Sequence, residues 1–572
     1  MSAIDLSELV GWARGDVPVD LLLRGGQLVN VLSGDIHPAD IAIVGDTIVG
    51  VGSGYEGRTV LDLDGQFVCP GFIDAHVHVE SAMVPPREFA RAVVPRGVTT
   101  VVTDPHEIAN VLGIDGIRFM LADAEHAPFT MLVNAPSCVP ATHMGTAGAD
   151  LSAADLVSLR AHAAVLGLAE VMNFPGVVAA DEAVLAKVRA FRDRVIDGHC
   201  PGLTGRQLNA YVAVGIRSDH ESTTVDEARE KLRLGMTVFL RQATNAKNLL
   251  DLMPLVTPES ERHLCLCTDD RQPPDLLEDG SIDHLIRMVI AEGIPPMTAI
   301  RMATLNTAQH FRLLDRGAVA PGRRADLVVL PDLNEPRPDA VYVGGSLVAA
   351  GRRMLNGAGG AAAPPTGNSV HVDWARIDLT VVASGTRMRV IGVVPDQIVT
   401  TQEIVAAKVD DGRAVADPQR DLLKIAVIER HGRSGTVGLG FVNGIGLERG
   451  AIAGTIAHDH HNLIVIGGDD RSMLTAARAV AHAGGGQAVA AGDDVIALLP
   501  LPIAGLMSDQ PIGRVRDGME QLIAAARRLG STLHDPFMAM SFLGLEVIPS
   551  LKLTDQGLVD VERFEIVPLF VE

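Results

Sequence analysis

Two histidines separated by one residue are the first feature of this sequence that could do chemistry. His76 and His78 lie in a segment, Phe72 to Val79, with the period-2 alternation of a β-strand. Residues i and i+2 of a strand point to the same face, so the two imidazoles are predicted to project side by side. Imidazole is a common ligand for divalent metals, and the pair therefore predicts half of a metal site. Asp74 would share that face one step earlier.

Further candidate ligands close apolar, strand-like runs later in the chain. They are Glu170, His199, His220 and Asp269. Taken singly, each has a structural explanation, a strand-end salt bridge for the glutamate or a buried, hydrogen-bonded ring for a histidine. Taken together with the first pair, they supply enough nitrogen and oxygen ligands for two ions, and Glu170 can offer one oxygen to each. Such a set without thiolate suits Mn²⁺, Fe²⁺ or Zn²⁺.

Other titratable residues near these positions could transfer protons. Asp104-Pro-His-Glu107 directly follows a strand-like run, and Asp104 with its proline also fits a helix N-cap, an explanation that leaves His106 unexplained. The adjacent carboxylates at 269 and 270 should diverge, so that one can bind metal while the other meets the substrate. The residues for which we expect catalytic roles are Asp269, His106, Glu107, Glu221 and Asp270.

The elements that must position these residues are eight apolar strand-like runs, each separated from the next by a helical stretch. This alternation occupies residues 71–314 and predicts a (β/α)₈ barrel of the TIM type. In such barrels the catalytic groups lie at the carboxyl ends of the strands. Several of the runs end in His, Glu or Asp, which agrees with that rule.

The chain on either side of the barrel predicts two further units of an α/β protein. Residues 1–70 and 315–355 hold short strands with glycine turns and are expected to form one small β-domain. Residues 356–368, rich in Gly, Ala and Pro, predict a linker to a separate α/β domain over 369–572. That domain carries the cluster His458-Asp-His-His461, for which a second metal site, a hydrogen-bonded cluster facing the barrel mouth, a lid and an oligomer contact all remain open.

Composition excludes several classes of partner. The net charge of −22 and the aromatic content of 3% argue against nucleic acid and anionic membranes. We see no secretory signal and no apolar run long enough to span a bilayer. The five cysteines form no CxxC pair, which predicts a reduced, cytoplasmic protein. We also expect a homo-oligomer, namely a dimer.

Several motifs carry a resemblance that covers nearly the whole chain from about residue 20. They include P-G-F-I-D-A-H-V-H-V-E-S, G-L-A-E-V-M-N-F-P-G-V, D-G-H-C-P-G-L, D-H-E-S, L-C-T-D-D and, beyond the linker, G-A-I-A-G-T-I-A-H-D-H-H-N-L-I-V-I-G. The sequence resembles the adenine deaminase family of the amidohydrolase superfamily. The resemblance implies conversion of adenine and water to hypoxanthine and ammonia in purine salvage.

The resemblance also implies a centre of two divalent ions, with Mn²⁺ or Fe²⁺ favoured and Zn²⁺ as a third choice. Glu170 would take the place of the carboxylated lysine of other superfamily members. His76, His78 and Asp269 would hold one ion, and His199 and His220 the other. A hydroxide would attack C6 of adenine, with Asp269 taking the proton of the water and passing it to the departing amine.

Two segments depart from the family pattern. After the seventh strand the chain has Arg241-Gln-Ala-Thr in place of Arg-Glu-Gly-Ser, and residues 141–148 also differ. Both are expected on loops at the barrel mouth, where they would leave the metal site alone and bear on substrate preference. Two alternatives remain: another amidohydrolase acting on a cyclic amide or N-acyl compound, and a non-catalytic barrel that has lost its metals.

Overall fold

The computed structural model describes residues 5–355, 364 and 367–571, so most of the predicted linker lies outside the described residues. The N-terminal segment forms one helix and five strands. They are α1 (Leu6–Ala13), β1 (Val19–Asn30), β2 (Asp35–Val44), β3 (Thr47–Val51), β4 (Gly57–Asp62) and β5 (Phe67–Pro70). The long strand β1 pairs antiparallel with β2 and parallel with β4 and β5.

Eight parallel strands follow and confirm the predicted (β/α)₈ barrel. They are β6 (Phe72–Val77), β7 (Val98–Thr103), β8 (Thr130–Ala135), β9 (Val165–Val171), β10 (Val195–Gly198), β11 (Ser218–Asp219), β12 (Thr237–Arg241) and β13 (Leu264–Cys267). Strands β6 to β10 pair in order to form a five-stranded sheet, and β11 to β13 form a three-stranded sheet. A hydrogen bond from the amide of Arg217 to the carbonyl oxygen of Ile196 connects the two sheets, and the pairing of Val77 with Asp269 closes the barrel.

Twelve helices of the described chain surround these strands. They are α2 (Pro86–Val93), α3 (His106–Leu112), α4 (Ile114–Ala124), α5 (Ala153–Leu159), α6 (Phe174–Val178), α7 (Glu182–Ala190), α8 (Gly205–Ala213), α9 (Val225–Arg233), α10 (Pro273–Glu278), α11 (Ile282–Ala291), α12 (Pro296–Met302) and α13 (Leu305–His310). The local sequence determines where several helices begin. Ser152 and Asp155 form a capping box at the start of α5, and Thr224 caps the start of α9. The capped α9 buries Ala228 and Lys231 against the barrel.

Four strands after the barrel complete the N-terminal sheet. They are β14 (Leu327–Leu330), β15 (Ala340–Val343), β16 (Ser346–Ala350) and β17 (Arg353–Met354). Strand β14 pairs antiparallel with β5, which joins both flanking segments in one nine-stranded sheet. The last residue of β5 is followed after Gly71 by the first barrel strand, so this sheet directly supports the strand that carries His76.

The C-terminal region is a second α/β assembly. Its elements are β18 (Val381–Val382), β19 (Arg387–Val393), β20 (Thr400–Ala406), β21 (Val409–Asp410), β22 (Arg413–Ala414), β23 (Leu423–Ile428), β24 (Val437–Asn443), β25 (Ala451–Gly454), β26 (Leu463–Gly467), α14 (Asp470–His482), β27 (Gly486–Ala491), β28 (Asp494–Pro500), α15 (Ile512–Arg528), α16 (Pro536–Ser541), β29 (Leu551–Thr554), β30 (Gly557–Asp560), β31 (Glu565–Val567) and β32 (Phe570–Val571). Nine of these strands form one sheet. Helix α14 packs Met473, Ala476 and Val480 into its core.

This C-terminal assembly lies on the mouth of the barrel. Thr142 Oγ1 donates to Glu546 Oε1 at 2.6 Å, and the amide of Thr146 donates to Asp555 Oδ1 at 2.8 Å. The segment 141–148, expected to bear on substrate preference, therefore contacts the C-terminal assembly. Beside these polar contacts, an apolar cluster joins Cys138 and Met172 of the barrel to Phe542 and its neighbours. No helix among the described residues is long and apolar enough to cross a bilayer.

Candidate metal centre

The six predicted metal ligands converge at the carboxyl ends of the barrel strands. His76 lies in β6 and Glu170 in β9, whereas the others follow the ends of their strands by one or two residues. All six side chains are buried, and nearly all of them line one cavity at the barrel mouth. Regular alternation in each strand turns these side chains towards the barrel axis, which is the arrangement that the sequence pattern predicts.

Glu170 stands between two pairs of histidines. Its Oε1 lies 3.5 Å from His76 Nε2 and 3.1 Å from His78 Nε2. Its Oε2 lies 2.8 Å from His199 Nδ1 and 3.1 Å from His220 Nε2. Each oxygen of one carboxylate therefore faces two imidazoles, the geometry required of a ligand that bridges two ions.

The donor set fits divalent ions. His78 Nδ1 lies 2.9 Å from the carbonyl oxygen of Asp104, so Nδ1 donates to this carbonyl and Nε2 is the nitrogen that faces the other candidate ligands. His78 Nε2 lies 3.1 Å from His76 Nε2. Two ring nitrogens and carboxylate oxygens converging in a buried space are well suited to a shared cation. The orphaned, buried Oε1 of Glu170 is consistent with the same interpretation.

Asp269 completes the first group of predicted ligands and connects it to an arginine. Asp269 Oδ1 lies 3.3 Å from His78 Nε2 and 3.8 Å from His76 Nε2. Its other oxygen accepts from Arg241 Nη1 at 2.8 Å. Arg241 also forms a two-pronged ion pair with Glu221. Arg241 is the residue that the segment 241–244 shares with the family pattern, so the expectation that the departing residues 242–244 leave the metal site alone stays a prediction.

Asp74, which shares the face of His76 and His78 in the sequence pattern, hydrogen-bonds the backbone that carries the predicted ligands. Its Oδ1 accepts from the backbone amides of His76 and Thr268, at 3.3 and 3.1 Å, and its Oδ2 accepts from the Thr268 hydroxyl at 2.5 Å. These bonds join the first barrel strand to the residue before Asp269. Burial raises the pKa of Asp74 to about 7.

The predicted proton-transfer residues lie around the same cavity. His106 Nδ1 is 3.0 Å from Asp104 Oδ2 and 3.5 Å from Glu170 Oε1. Asp270 accepts from the Ser81 hydroxyl at 2.5 Å, and burial together with the charge of Asp269 raises the pKa of Asp270 to about 6. The N-cap interpretation of Asp104 is wrong: α3 begins at His106, and the Asp104 carboxylate contacts the ring of that residue.

The C-terminal assembly contributes side chains to this cavity that sequence reasoning did not assign. Glu107 Oε1 lies 2.8 Å from His458 Nδ1, and Glu107 Oε2 contacts His461 Nε2. The histidine cluster therefore faces the barrel mouth. Apolar lining comes from the same assembly, through Ile398, Met538, Phe542 and Leu545. Motif similarity beyond the linker was the signal that this part of the chain belongs with the barrel.

Comparison with known proteins agrees with the fold. Residues 67–348 match the amidohydrolase family, and residues 397–565 match the adenine deaminase C-terminal domain. The barrel and its donor set thus define an amidohydrolase.

The more particular assignment comes from full-length relatives. The chain is 49% identical to an adenine deaminase of Desulfatibacillum aliphaticivorans over 98% of this chain and 99% of that protein. It is 50% identical to an adenine deaminase of Cereibacter sphaeroides over 98% and 99% of the two chains. The chain belongs to the adenine deaminase family. Among solved structures, a dihydropyrimidinase from Brevibacillus agri matches 59% of this chain and 96% of its own, with 14% identity and a TM-score of 0.46.

Proposed function

We propose that this protein hydrolyses adenine to hypoxanthine and ammonia at a centre of two divalent metal ions. The observation that carries the proposal is the position of Glu170, whose two oxygens each face a different pair of histidines. Membership of the adenine deaminase family supports adenine as the substrate, and the relatives in that family align with the chain on both sides of the linker. The alternative of a non-catalytic barrel would require loss of ligands, and all six are present.

The metal ligands in this proposal are the six convergent side chains. His76, His78 and Asp269 would hold one ion, His199 and His220 the other, and Glu170 would contact both. Nitrogen and oxygen donors without thiolate favour Mn²⁺ or Fe²⁺, and Zn²⁺ also fits. Such ions supply a hydroxide nucleophile near neutral pH by lowering the pKa of bound water.

The chain's own residues prepare the site for charge and proton movement. Arg241 fixes one oxygen of Asp269, so that the other oxygen stays directed at the two histidines of β6. A carboxylate held in this way can accept a proton from water and return it to the departing amine. Asp270 and His106 line the cavity, and they are the candidates for contacts to the purine ring.

Ammonia release from adenine tests the proposal. The purified protein is stripped with a chelator and restored with Mn²⁺, Fe²⁺ or Zn²⁺, and each sample is assayed with adenine and with a panel of cyclic amides and N-acyl amino acids. We expect turnover of adenine only after restoration, with two ions bound per chain. Preferential turnover of a cyclic amide or N-acyl compound would instead favour a different amidohydrolase activity.

Two expectations from the sequence extend this proposal. The five cysteines are all buried and unpaired, which supports a reducing environment such as the cytoplasm. The homodimer remains a prediction, which the mass of the native protein in solution will test.

A further inference from the structure

His458 reaches the cavity of the predicted metal ligands from the C-terminal assembly. It belongs to the loop between β25 and β26, on the far side of the predicted linker from the barrel. Its side chain is buried, and its Nδ1 lies 2.8 Å from Glu107 Oε1, within ion-pair distance of the carboxylate. The opposite ring nitrogen, Nε2, is buried and has no hydrogen-bond partner among the described residues.

Two neighbours fix the orientation of this ring. Glu107 anchors one nitrogen, and Phe542 stacks on the face of the imidazole, with ring centroids 4.3 Å apart and planes 6° apart. Buried polar atoms are normally satisfied, so an orphaned nitrogen on a ring held this firmly indicates a partner that the free protein lacks. The cavity that His458 lines also contains the predicted metal ligands.

We propose that His458 Nε2 hydrogen-bonds a ring nitrogen of the bound purine and that Glu107 is the positioning residue for this contact. This inference rests on the proposed deamination of adenine. Phe542, Ile398 and Leu545 supply apolar lining to the same cavity, which suits the flat, weakly polar face of a purine. The C-terminal assembly then forms part of the substrate site rather than only a cover over the barrel.

Replacing His458 with asparagine and, separately, with glutamine distinguishes this role from a purely structural one. An asparagine at position 458 can place its amide near the position of Nδ1, which preserves the contact with Glu107 and removes the group at Nε2. A glutamine can reach the position of Nε2 and loses the contact at Nδ1. We expect His458→Asn to lower kcat/KM for adenine by about 100-fold, the effect of removing one preorganised hydrogen bond to a reacting substrate. We expect His458→Gln to retain substantially more activity.

The matched control is His460→Gln, which removes another buried imidazole of the same loop. His460 Nε2 lies 3.3 Å from the carbonyl of Thr142 and 3.5 Å from Glu546 Oε1, outside the cavity lining. Metal content is measured for every variant, and the dissociation constant for hypoxanthine is measured by calorimetry. We expect His458→Asn to weaken hypoxanthine binding while keeping the metal content of the unaltered protein.

The outcomes distinguish this inference from the proposed function. If the unaltered, metal-restored protein releases no ammonia from adenine, the proposed function fails. If that protein is active, the inference is overturned when His458→Asn matches it, or when asparagine preserves activity better than glutamine. The second result would mean that His458 acts only through its contact with Glu107.

Discussion

Arg241 donates from Nη1 to Oδ2 of Asp269 at 2.8 Å, while the other oxygen of Asp269 lies 3.3 Å from His78 Nε2. Arg241 is fully buried and also binds both oxygens of Glu221. Two carboxylates and one guanidinium are thus packed together beside the predicted metal ligands. The arginine neutralises charge that would otherwise oppose burial of both carboxylates.

Replacing Arg241 should therefore damage both stability and activity. Arg241→Gln leaves two buried carboxylates without their cation, and breaking such a pair costs about 3–5 kcal/mol. Arg241→Lys keeps the charge but loses the planar fork that binds Glu221, so its effect should be intermediate. Thermal unfolding and kcat/KM for adenine measure the two effects. Equal behaviour of the glutamine variant and the unaltered protein would contradict this role.

Glu170→Gln tests the bridging carboxylate. The amide removes the negative charge and replaces one acceptor oxygen with an NH₂ group, so it cannot serve both histidine pairs. We expect bound metal to fall from two ions per chain to one or fewer. We expect kcat to fall by more than about 100-fold, the upper range for loss of groups that merely support metal ligands. Metal analysis and steady-state kinetics on the same sample check this, and two ions with full turnover would refute the bridge.

The barrel and the convergence of the six predicted ligands could be predicted from the sequence because each signal is local. Apolar runs that end in His, Glu or Asp identify strand ends, and the barrel rule places those ends together. Arg241 was not recognised because its partner, Asp269, lies on the neighbouring strand and no local pattern specifies that contact. The pairing of Glu107 with His458 joins residues on opposite sides of the predicted linker. Such contacts follow from the docking of two assemblies, and only the folded structure specifies that docking.

Lys231 holds the loops that carry two predicted ligands. Its fully buried Nζ donates to Asp219 Oδ2 and to the carbonyl of Cys200, both at 2.9 Å. These partners are the residues next to His220 and His199. Lys231→Met should lower the free energy of unfolding by about 3–5 kcal/mol, because the Asp219 carboxylate is left buried without its cation.

The control for Lys231 is the double variant Lys231→Met/Asp219→Asn, which removes the uncompensated charge at Asp219, leaves Glu227 without its lysine partner, and should recover part of the lost free energy of unfolding. Unfolding is followed in urea at a fixed metal concentration, because bound metal itself stabilises the folded chain. We expect bound metal at the His199–His220 pair to fall in the single variant. Unchanged stability in that variant would show that the ion pair is dispensable.

Lys552 should give the protein a distinctive dependence of stability on pH. This fully buried lysine donates to the carbonyl oxygens of Ile398 and Phe542, two residues of the cavity wall. Burial lowers its pKa from 10.5 to about 7, and the charge of Glu546 offsets part of that effect. Between about pH 7 and 10.5 the folded chain therefore binds fewer protons at this site than the unfolded chain. The contribution of this group to the free energy of unfolding thus rises with pH across that window.

Lys552→Met removes this titration while leaving the size of the side chain nearly unchanged. Loss of the two hydrogen bonds lowers the free energy of unfolding of the variant by a constant amount at every pH. The informative quantity is therefore the change with pH in the difference between the free energies of unfolding of the two proteins. Each unit of pKa difference corresponds to about 1.4 kcal/mol, and we expect the unaltered protein to gain stability relative to the variant as pH rises from 7 to 10. Urea unfolding of both proteins at a series of pH values measures the difference. Parallel curves would mean that Lys552 has the same pKa in the folded and unfolded chains, and a falling difference would mean that its charged form is stabilised on folding.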